Sequence, residues 1–328
     1  SGYQTRKAAS AHDSVFHGAI ADTTPDAWGR RVIARDHAKR RKSEPGLAAL
    51  TEMDYLLAVD DFSRVGALRL RDATGRYWRT VEEGRRSTPP LIELERLFHA
   101  SRAVERGEET TEDLRYLQGK GTSLGGMRPK CTLIDEDGWL AIGKFPSMGD
   151  TRSVTRGEVL ALRLATLAGI DAAPSRIVQL NDVAVAVIRR FDRDGAGGRI
   201  PYQSAASLLQ ASRQEDRSYT EIADAIRSIG HDPIRDLRQL WRRLVFNLLI
   251  TNVDDHLQNH GFLHVANGQW RLAPAFDLNP FPDKEPESKT WLSEDTGPIT
   301  SVKQLLQQAT RFELTPAAAN AILSEVVE

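Results

Sequence analysis

The chain has 328 residues, 40% of them hydrophobic and 27% charged, with 24 Gly and 15 Pro. At about 150 residues per domain this gives roughly two globular units with a sizeable core, and it excludes a disordered, collagen-like or small disulfide-stapled protein. The 44 Lys and Arg against 45 Asp and Glu leave a formal net charge of −1, so no global field draws the chain toward nucleic acid or an anionic membrane. A single cysteine, Cys131, rules out an internal disulfide and a CxxC metal or redox pair. No apolar run approaches the 18 or so residues of a bilayer span and no leader opens the chain, so a cytoplasmic protein with no membrane partner is expected.

In chain order, Thr24-Pro25-Asp26 opens a helix to Lys42 that carries Trp28, Val32 and Ile33 among many basic residues. The plain reading is a solvated basic face, with a phosphate-touching patch as the minor alternative. A helix over Glu52 to Ala58 follows, then alternation from Arg64 to Arg71 that predicts a strand, with a turn at Asp72-Ala73-Thr74-Gly75. Ser101 to Gln118 reads as one charged helix, and this first stretch as a supporting layer. After it comes a Gly-rich segment from Gly119 to Lys130. Cys131 to Ile134 and Trp139 to Phe145 read as strands joined by the turn Asp135-Glu136-Asp137-Gly138. A helix from Arg156 to Ala168 stops at Gly169, and strands Ser175 to Leu180 and Val183 to Phe191 turn through Asn181-Asp182. The Gly- and Asp-rich stretch from Asp192 to Gly198 marks the domain boundary. Residues 1–191 are thus expected to form an N-terminal lobe, with a supporting layer over 1–118 and a sheet over 119–191. Residues 192–328 are expected to form a helical C-terminal lobe, with Arg235 to Thr251 its clearest helix. The fold class is α+β, two-lobed, with a small antiparallel sheet in the first lobe.

Five features stand in a telling order. The Arg235 to Thr251 helix runs into Asp254-Asp255-His256-Leu257-Gln258-Asn259, which has the D-x-x-x-x-N spacing of a phosphotransferase catalytic loop. In such a loop the Asp accepts the attacking hydroxyl's proton and the Asn amide oxygen ligates a metal. A hairpin over Gly261 to Leu272 leads to Asp277, a second acid able to hold Mg²⁺ against nucleotide phosphates. Upstream, Lys144 on the strand after the glycine loop can neutralise those phosphates, and Glu158 on the next helix can pair with it. The loop's backbone N–H groups, around Gly125 and Gly126, can close on phosphate oxygens, with Arg128 or Lys130 adding charge. Taken singly, each has a bland reading: an ordinary turn, a solvent-facing lysine, a first-turn helix acid, a capping Asp, a local salt bridge beside His256. The order of all five favours ATP and Mg²⁺ chemistry, with four side chains distant in sequence serving one nucleotide–magnesium unit.

The segments Thr122 to Lys130, Ile142-Gly143-Lys144-Phe145-Pro146, Arg190-Phe191-Asp192-Arg193, Asp254 to Asn259 and Phe276-Asp277 together resemble the HipA family of bacterial toxin kinases, from about Asp22 to the C-terminus. The resemblance implies an atypical protein-kinase-like fold and a serine/threonine protein kinase. It further implies the toxin of a toxin–antitoxin pair that phosphorylates a translation-related protein such as an aminoacyl-tRNA synthetase and favours dormancy and persistence. By resemblance, Asp254 is the catalytic base, Asn259 and Asp277 are metal ligands, Lys144 is the ATP-phosphate lysine and Lys130 ends the glycine loop. Ser123 matches the loop serine whose autophosphorylation switches the family's kinases off; a dianion where ATP phosphates belong repels them. Arg189 to Phe191 resembles the hinge whose backbone meets adenine.

Some positions depart from the family pattern. Arg189 stands where some relatives carry an acid, and Gln258 replaces a basic residue often found just before the metal-binding Asn. The family also has a small N-terminal subdomain before the region that begins here and a helical end beyond Glu328. A truncated chain, or a split system with a separate small polypeptide as partner, is therefore expected. A HipB-like antitoxin is the other implied partner, and DNA contact would run mainly through it. The competing readings are a small-molecule phosphotransferase and a nucleotide-binding pseudokinase or co-repressor.

Overall fold

The computed structural model describes residues 15–79, 88–118, 126–212 and 215–328. Chain contacts divide it into two compact units. A sheet unit comprises Ile20–Arg156 and Arg176–Arg199; a helical unit comprises Gly157–Ser175 and Ile200–Glu328 with the described residues up to Ala19. The last crossing of the chain between the units thus falls after Arg199, just past the Gly- and Asp-rich stretch.

The sheet unit begins in the short helix α1 (Gly18–Ala21) and continues through α2 (Ala27–Ser43). Asp26 caps α2 by accepting from the Gly29 N–H at 2.7 Å, as an Asp before an apolar-periodic run should. The basic residues of α2 are largely committed within the unit. Arg30 pairs with Glu52 of α3 (Glu52–Ala58), and Arg35 with Glu109, whose carbonyl also accepts from Lys39. The region expected as one helix over Ser101 to Gln118 is instead two, α4 (Leu94–Arg106) and α5 (Thr111–Leu117). Gly107 adopts a left-handed φ of 77° as the C-cap, and Thr110 with Asp113 forms a capping box that restarts the chain. The expected strand over Arg64 to Arg71 is also absent: only an isolated bridge joins Arg71 to Tyr77. Its alternation arises because Arg64 points inward, 1% exposed, and donates to the carbonyls of Thr23, Leu56 and Val59 rather than joining a ladder.

Four strands form one sheet in the order β1-β2-β4-β3: β1 (Lys130–Ile134), β2 (Leu140–Lys144), β3 (Ser175–Leu180) and β4 (Val183–Arg189). Helix α6 (Val154–Leu167) lies between β2 and β3 in sequence, and the boundary between the units falls within it. The antiparallel register sets Lys130 opposite Lys144 and Cys131 opposite Gly143. One sheet face (Cys131, Leu133, Ala141, Val185, Val187) packs on Leu94, Leu97 and Ala100 of α4 and on Trp28 and Val32 of α2. Gly143 is needed for this approach: a Cβ there would lie 3.0 Å from Leu133 Cδ2 and 3.3 Å from Leu94 Cδ1.

The helical unit contains β5 (Tyr202–Ser204), α7 (Ala205–Leu208), α8 (Tyr219–Ile229), α9 (Pro233–Leu249), β6 (Gly261–Ala266), β7 (Gln269–Leu272), β8 (Trp291–Ser293), β9 (Gly297–Pro298), α10 (Val302–Gln307) and α11 (Pro316–Val327). Strands β5, β6 and β7 form a small antiparallel sheet. Its core joins Ile222 and Ile226 of α8, Leu237, Leu240, Trp241 and Leu244 of α9, and Phe262, Leu272, Leu292 and Phe312. The buried positions of α9 recur at three- and four-residue intervals, the helical period legible in the sequence. Among the described residues, no helix is long and apolar enough to cross a membrane.

Candidate functional site

In the helical unit, α9 ends at Leu249 and Thr251 takes a left-handed φ of 54°, turning the chain into the Asp254 to Asn259 loop. The Asn252 N–H donates to the Asn247 carbonyl at 2.8 Å and its amide to Asn247 Oδ1 at 3.2 Å, so the loop is tied to the helix that precedes it. Asp254 is exposed and its Oδ1 lies 3.0 Å from Lys289 Nζ. The amide nitrogen of the buried Asn259 donates to the Asp254 carbonyl at 3.3 Å, which makes the amide oxygen the atom able to ligate a cation. The two residues that D-x-x-x-x-N spacing singles out are therefore bonded to each other.

Asp255 does different work from its neighbour. It is buried, and its Oδ2 accepts from Tyr219 Oη at 2.6 Å, Asn247 Nδ2 at 2.9 Å and His260 Nε2 at 2.9 Å. Burial alone would raise its carboxyl pKa, but His260 and the bonds from His260 and Tyr219 outweigh it and hold the group below the ordinary carboxylate range. Burial and the adjacent Asp255 charge push the Tyr219 phenol well above its usual value. The Asp255 carbonyl in turn accepts from Thr290 N and Thr290 Oγ1 at 3.2 and 3.1 Å. Asp255 thus anchors the loop from α8, α9 and the segment before β8, leaving Asp254 to face solvent. The sequence offered two adjacent aspartates without saying which was buried; the partners are 36 and 8 positions away and carry no local signal.

Asp277 follows the β6–β7 hairpin. The Ala273 N–H donates to the Gly261 carbonyl at 2.8 Å, so the hairpin returns the chain to the end where Asn259 precedes β6. A parallel bridge of Ala275 to Ala172 and a bond from Phe281 N to the Ile250 carbonyl fix the Asp277 turn on either side. Asp277 has a φ of 57°, uncommon for a non-glycine residue, and its Oδ1 accepts from Asn279 Nδ2 at 3.2 Å. Buried Arg243 and Asp236 of α9 hold the end of β7 through the Ala273 carbonyl and the Leu272 N–H. Burial lowers the Arg243 pKa to about 10.

Mg²⁺ takes hard oxygen ligands, keeps several waters and is usually held by one or two carboxylates together with substrate phosphates. Among the described residues no cluster of three or more His, Cys, Asp or Glu side chains could hold a metal unaided. An amide oxygen, as on Asn259, and a carboxylate, as on Asp277, are hard oxygen donors of the kind Mg²⁺ takes.

In the sheet unit, Lys130 and Lys144 stand opposite each other at one end of β1 and β2, on the face away from α4. Facing like charges cost stability unless an anion joins them. Asp26 is one such anion: Lys130 Nζ lies 3.1 Å from its Oδ2, with both side chains buried. Burial nevertheless pushes the Asp26 carboxyl up, against the pull of Lys130 and Lys144. Gly126, at a φ of 105°, passes so close to Lys130 that a Cβ would sit 2.6 Å from Nζ. Lys130 therefore has a structural partner that the sequence did not reveal. Arg128 pairs with Asp150. Ser123 and Gly125 lie outside the described residues. Glu158 is buried on α6, in the helical unit by contact grouping.

The Arg190 to Arg193 run forms a buried ion cluster. Asp192 Oδ2 accepts from Arg190 Nη2 at 2.6 Å, Arg193 Nη1 at 2.7 Å and the Gly66 N–H at 2.7 Å, and Oδ1 accepts from Arg190 Nε at 2.9 Å. Arg190 and Arg193 also donate to the carbonyls of Ser63 and Arg64. Burial lowers the Arg193 pKa to about 10. Arg189, at the end of β4, stacks its guanidinium 3.1 Å from the centre of the Trp139 ring. Phe191 follows directly.

A four-stranded sheet unit with paired lysines and a helical unit with an Asp-x-x-x-x-Asn loop and a downstream aspartate define an atypical protein-kinase-like fold. The chain belongs to the HipA-like C-terminal domain family, whose model matches residues 122–328. Curated relatives include "Putative kinase Y4mE" of Sinorhizobium fredii, 27% identical over 192 residues (52% of this chain, 46% of that protein). Another, "Putative kinase" of Haemophilus influenzae, is 26% identical over 188 residues, 50% of this chain and 55% of the relative. The chain spans about half the length of these relatives. Among solved structures, HipA of Shewanella oneidensis, in a toxin–antitoxin complex with HipB and operator DNA, superposes with a TM-score of 0.67 at 17% identity. The match covers 94% of this chain and 75% of that one.

Proposed function

We propose that the chain is an ATP- and Mg²⁺-dependent protein serine/threonine kinase. The observation that carries this reading is the loop in which buried Asp255 and Asn259 fix an exposed Asp254. In phosphoryl transfer the protein supplies mainly position and charge. Asp254 accepts the proton of the attacking hydroxyl; Asn259 and Asp277 present the oxygens that would hold Mg²⁺; Lys144 is the residue that neutralises nucleotide phosphates, and Glu158 the acid of the same set. Bound Mg²⁺ would offset the charge of the β- and γ-phosphoryl oxygens. Gly126 and Lys130 are assigned to the phosphate side, with Gly125 beside them in sequence, and the Arg189 to Phe191 backbone to the adenine side.

The family membership and the HipA fold support a toxin role with a HipB-like antitoxin as partner, DNA being reached through it. We extend the reading to a translation-related substrate such as an aminoacyl-tRNA synthetase and to self-inactivation by phosphorylation of Ser123. The test is incubation of purified protein with γ-labelled ATP and candidate synthetases, alongside Asp254→Asn and Ser123→Ala. Label on a synthetase with wild type, none with Asp254→Asn, and a lost phosphate-sized mass increment in Ser123→Ala are expected. Label only on small hydroxyl compounds would favour a small-molecule phosphotransferase. Growth inhibition that persists in Asp254→Asn would show that toxicity is not kinase chemistry.

A further inference from the structure

Residues 254–260 read Asp-Asp-His-Leu-Gln-Asn-His, so the catalytic loop contributes no lysine or arginine of its own. The cation beside its reactive carboxylate comes from 35 residues downstream: Lys289 Nζ lies 3.0 Å from Asp254 Oδ1. Both side chains are more than half exposed, at 59% and 56%. An ion pair this open to solvent contributes little to stability, so the fold does not need it.

The backbone around Lys289 is nevertheless fixed on both sides. Thr290, 4% exposed, donates through N and Oγ1 to the Asp255 carbonyl. The Ser288 N–H donates to the Ile299 carbonyl at 3.2 Å, and Ser288 Oγ accepts from the Ile299 N–H at 2.7 Å. A four-carbon stem with a mobile ammonium thus springs from a held base, one residue from the group that anchors the catalytic loop.

We propose that Lys289 is a catalytic residue that stabilises the transferring phosphoryl group, a role that rests on the kinase reading of this site. The substrate hydroxyl oxygen attacks the γ-phosphorus while Asp254 takes its proton. The bond from the γ-phosphorus to the β–γ bridging oxygen breaks, and ADP leaves with that electron pair. As the hydroxyl occupies Asp254, the Lys289 ammonium turns from the carboxylate to the equatorial oxygens of the phosphoryl group, keeping its protons throughout. A lysine suits this exchange because it is a point charge with rotatable donors rather than a rigid fork. Removal of one hydrogen-bond donor to the transition state lowers kcat by about 100- to 1,000-fold in other enzymes.

The experiment uses the full chain as wild type, Lys289→Met, Lys289→Arg and Asp254→Asn, with labelled ATP, Mg²⁺ and casein or myelin basic protein as acceptor. Affinities for ADP alone and for ADP with aluminium fluoride, a mimic of the transferring phosphoryl group, are measured in parallel. Lys289→Met should lose about 100-fold in kcat with KM for ATP changed less than about twofold. It should bind ADP as wild type does and ADP–aluminium fluoride at least about tenfold more weakly, and melt at the wild-type temperature; Lys289→Arg should restore part of kcat. Wild-type kcat in Lys289→Met, a faster rate (the pair then being a brake), or equal weakening toward ADP and its aluminium fluoride complex would overturn the role. If wild type is active, Asp254→Asn dead and Lys289→Met normal, only Lys289 falls; an inactive wild type removes the kinase reading and this proposal together.

Discussion

Replacing Asp192 by Ala tests whether the Arg190-Phe191-Asp192-Arg193 run is held together as a buried clamp. The carboxylate accepts four bonds, two from Arg190, one from Arg193 and one from the Gly66 N–H. Removing it leaves two guanidiniums, 3% and 8% exposed, without their shared counter-ion. Breaking a buried ion pair from one side costs about 3–5 kcal/mol. At about 1.36 kcal/mol per factor of ten, the amides of β2 and β4 should exchange about 150- to 5,000-fold faster in native-state hydrogen exchange. The carboxyl pKa is lowered in the fold: burial opposes this, and Arg190, Arg193 and the Gly66 bond prevail. The folded state therefore binds fewer protons than the unfolded one. The contribution is complete above the unfolded pKa of about 3.9 and lost as pH falls through the folded value. The gap between wild type and Asp192→Ala should narrow below about pH 4. A loss under about 1 kcal/mol, or a gap unchanged between pH 7 and 3, would refute the clamp.

Gly143→Ala should destabilise by about 1–3 kcal/mol, read by urea denaturation, because its Cβ meets the side chains of Leu133, Cys131 and Leu94 between sheet and helix. Asn259→Ala and Asp277→Ala should each weaken Mg²⁺-dependent ATP binding by at least about tenfold in calorimetry while leaving metal-free binding little changed. Thr110→Ala should cost about 1 kcal/mol and increase exchange in the first turn of α5, since it removes the side-chain half of a capping box.

Where local pattern governs, the sequence was readable. The β3–β4 turn at Asn181-Asp182 is visible because Asn tolerates the φ of 50° found there, and α9 because its apolar period is helical. The spacing from Asp254 to Asn259 singled out a segment that does follow α9 as a loop, in which the Asn259 amide donates to the Asp254 carbonyl. Where partners are remote, the reading failed or was silent. Arg64 to Arg71 alternates like a strand, yet the Arg64 carbonyl accepts from Arg190 and Arg193 and the Gly66 N–H donates to Asp192, more than 120 positions away. The charges of Ser101 to Gln118 masked Gly107 and the Thr110–Asp113 box, signals that were present and outvoted. Lys130 gave no hint of Asp26, nor Asp255 of Tyr219, because burial of a charge is decided by tertiary partners.

Transfer of labelled γ-phosphate from ATP by wild type and Asp254→Asn, both shown to be folded by the same thermal melt, tests the central claim most directly. Mg²⁺-dependent phosphoprotein formation by wild type is expected, with a loss of at least about 1,000-fold in the variant. Equal transfer by both proteins would contradict it.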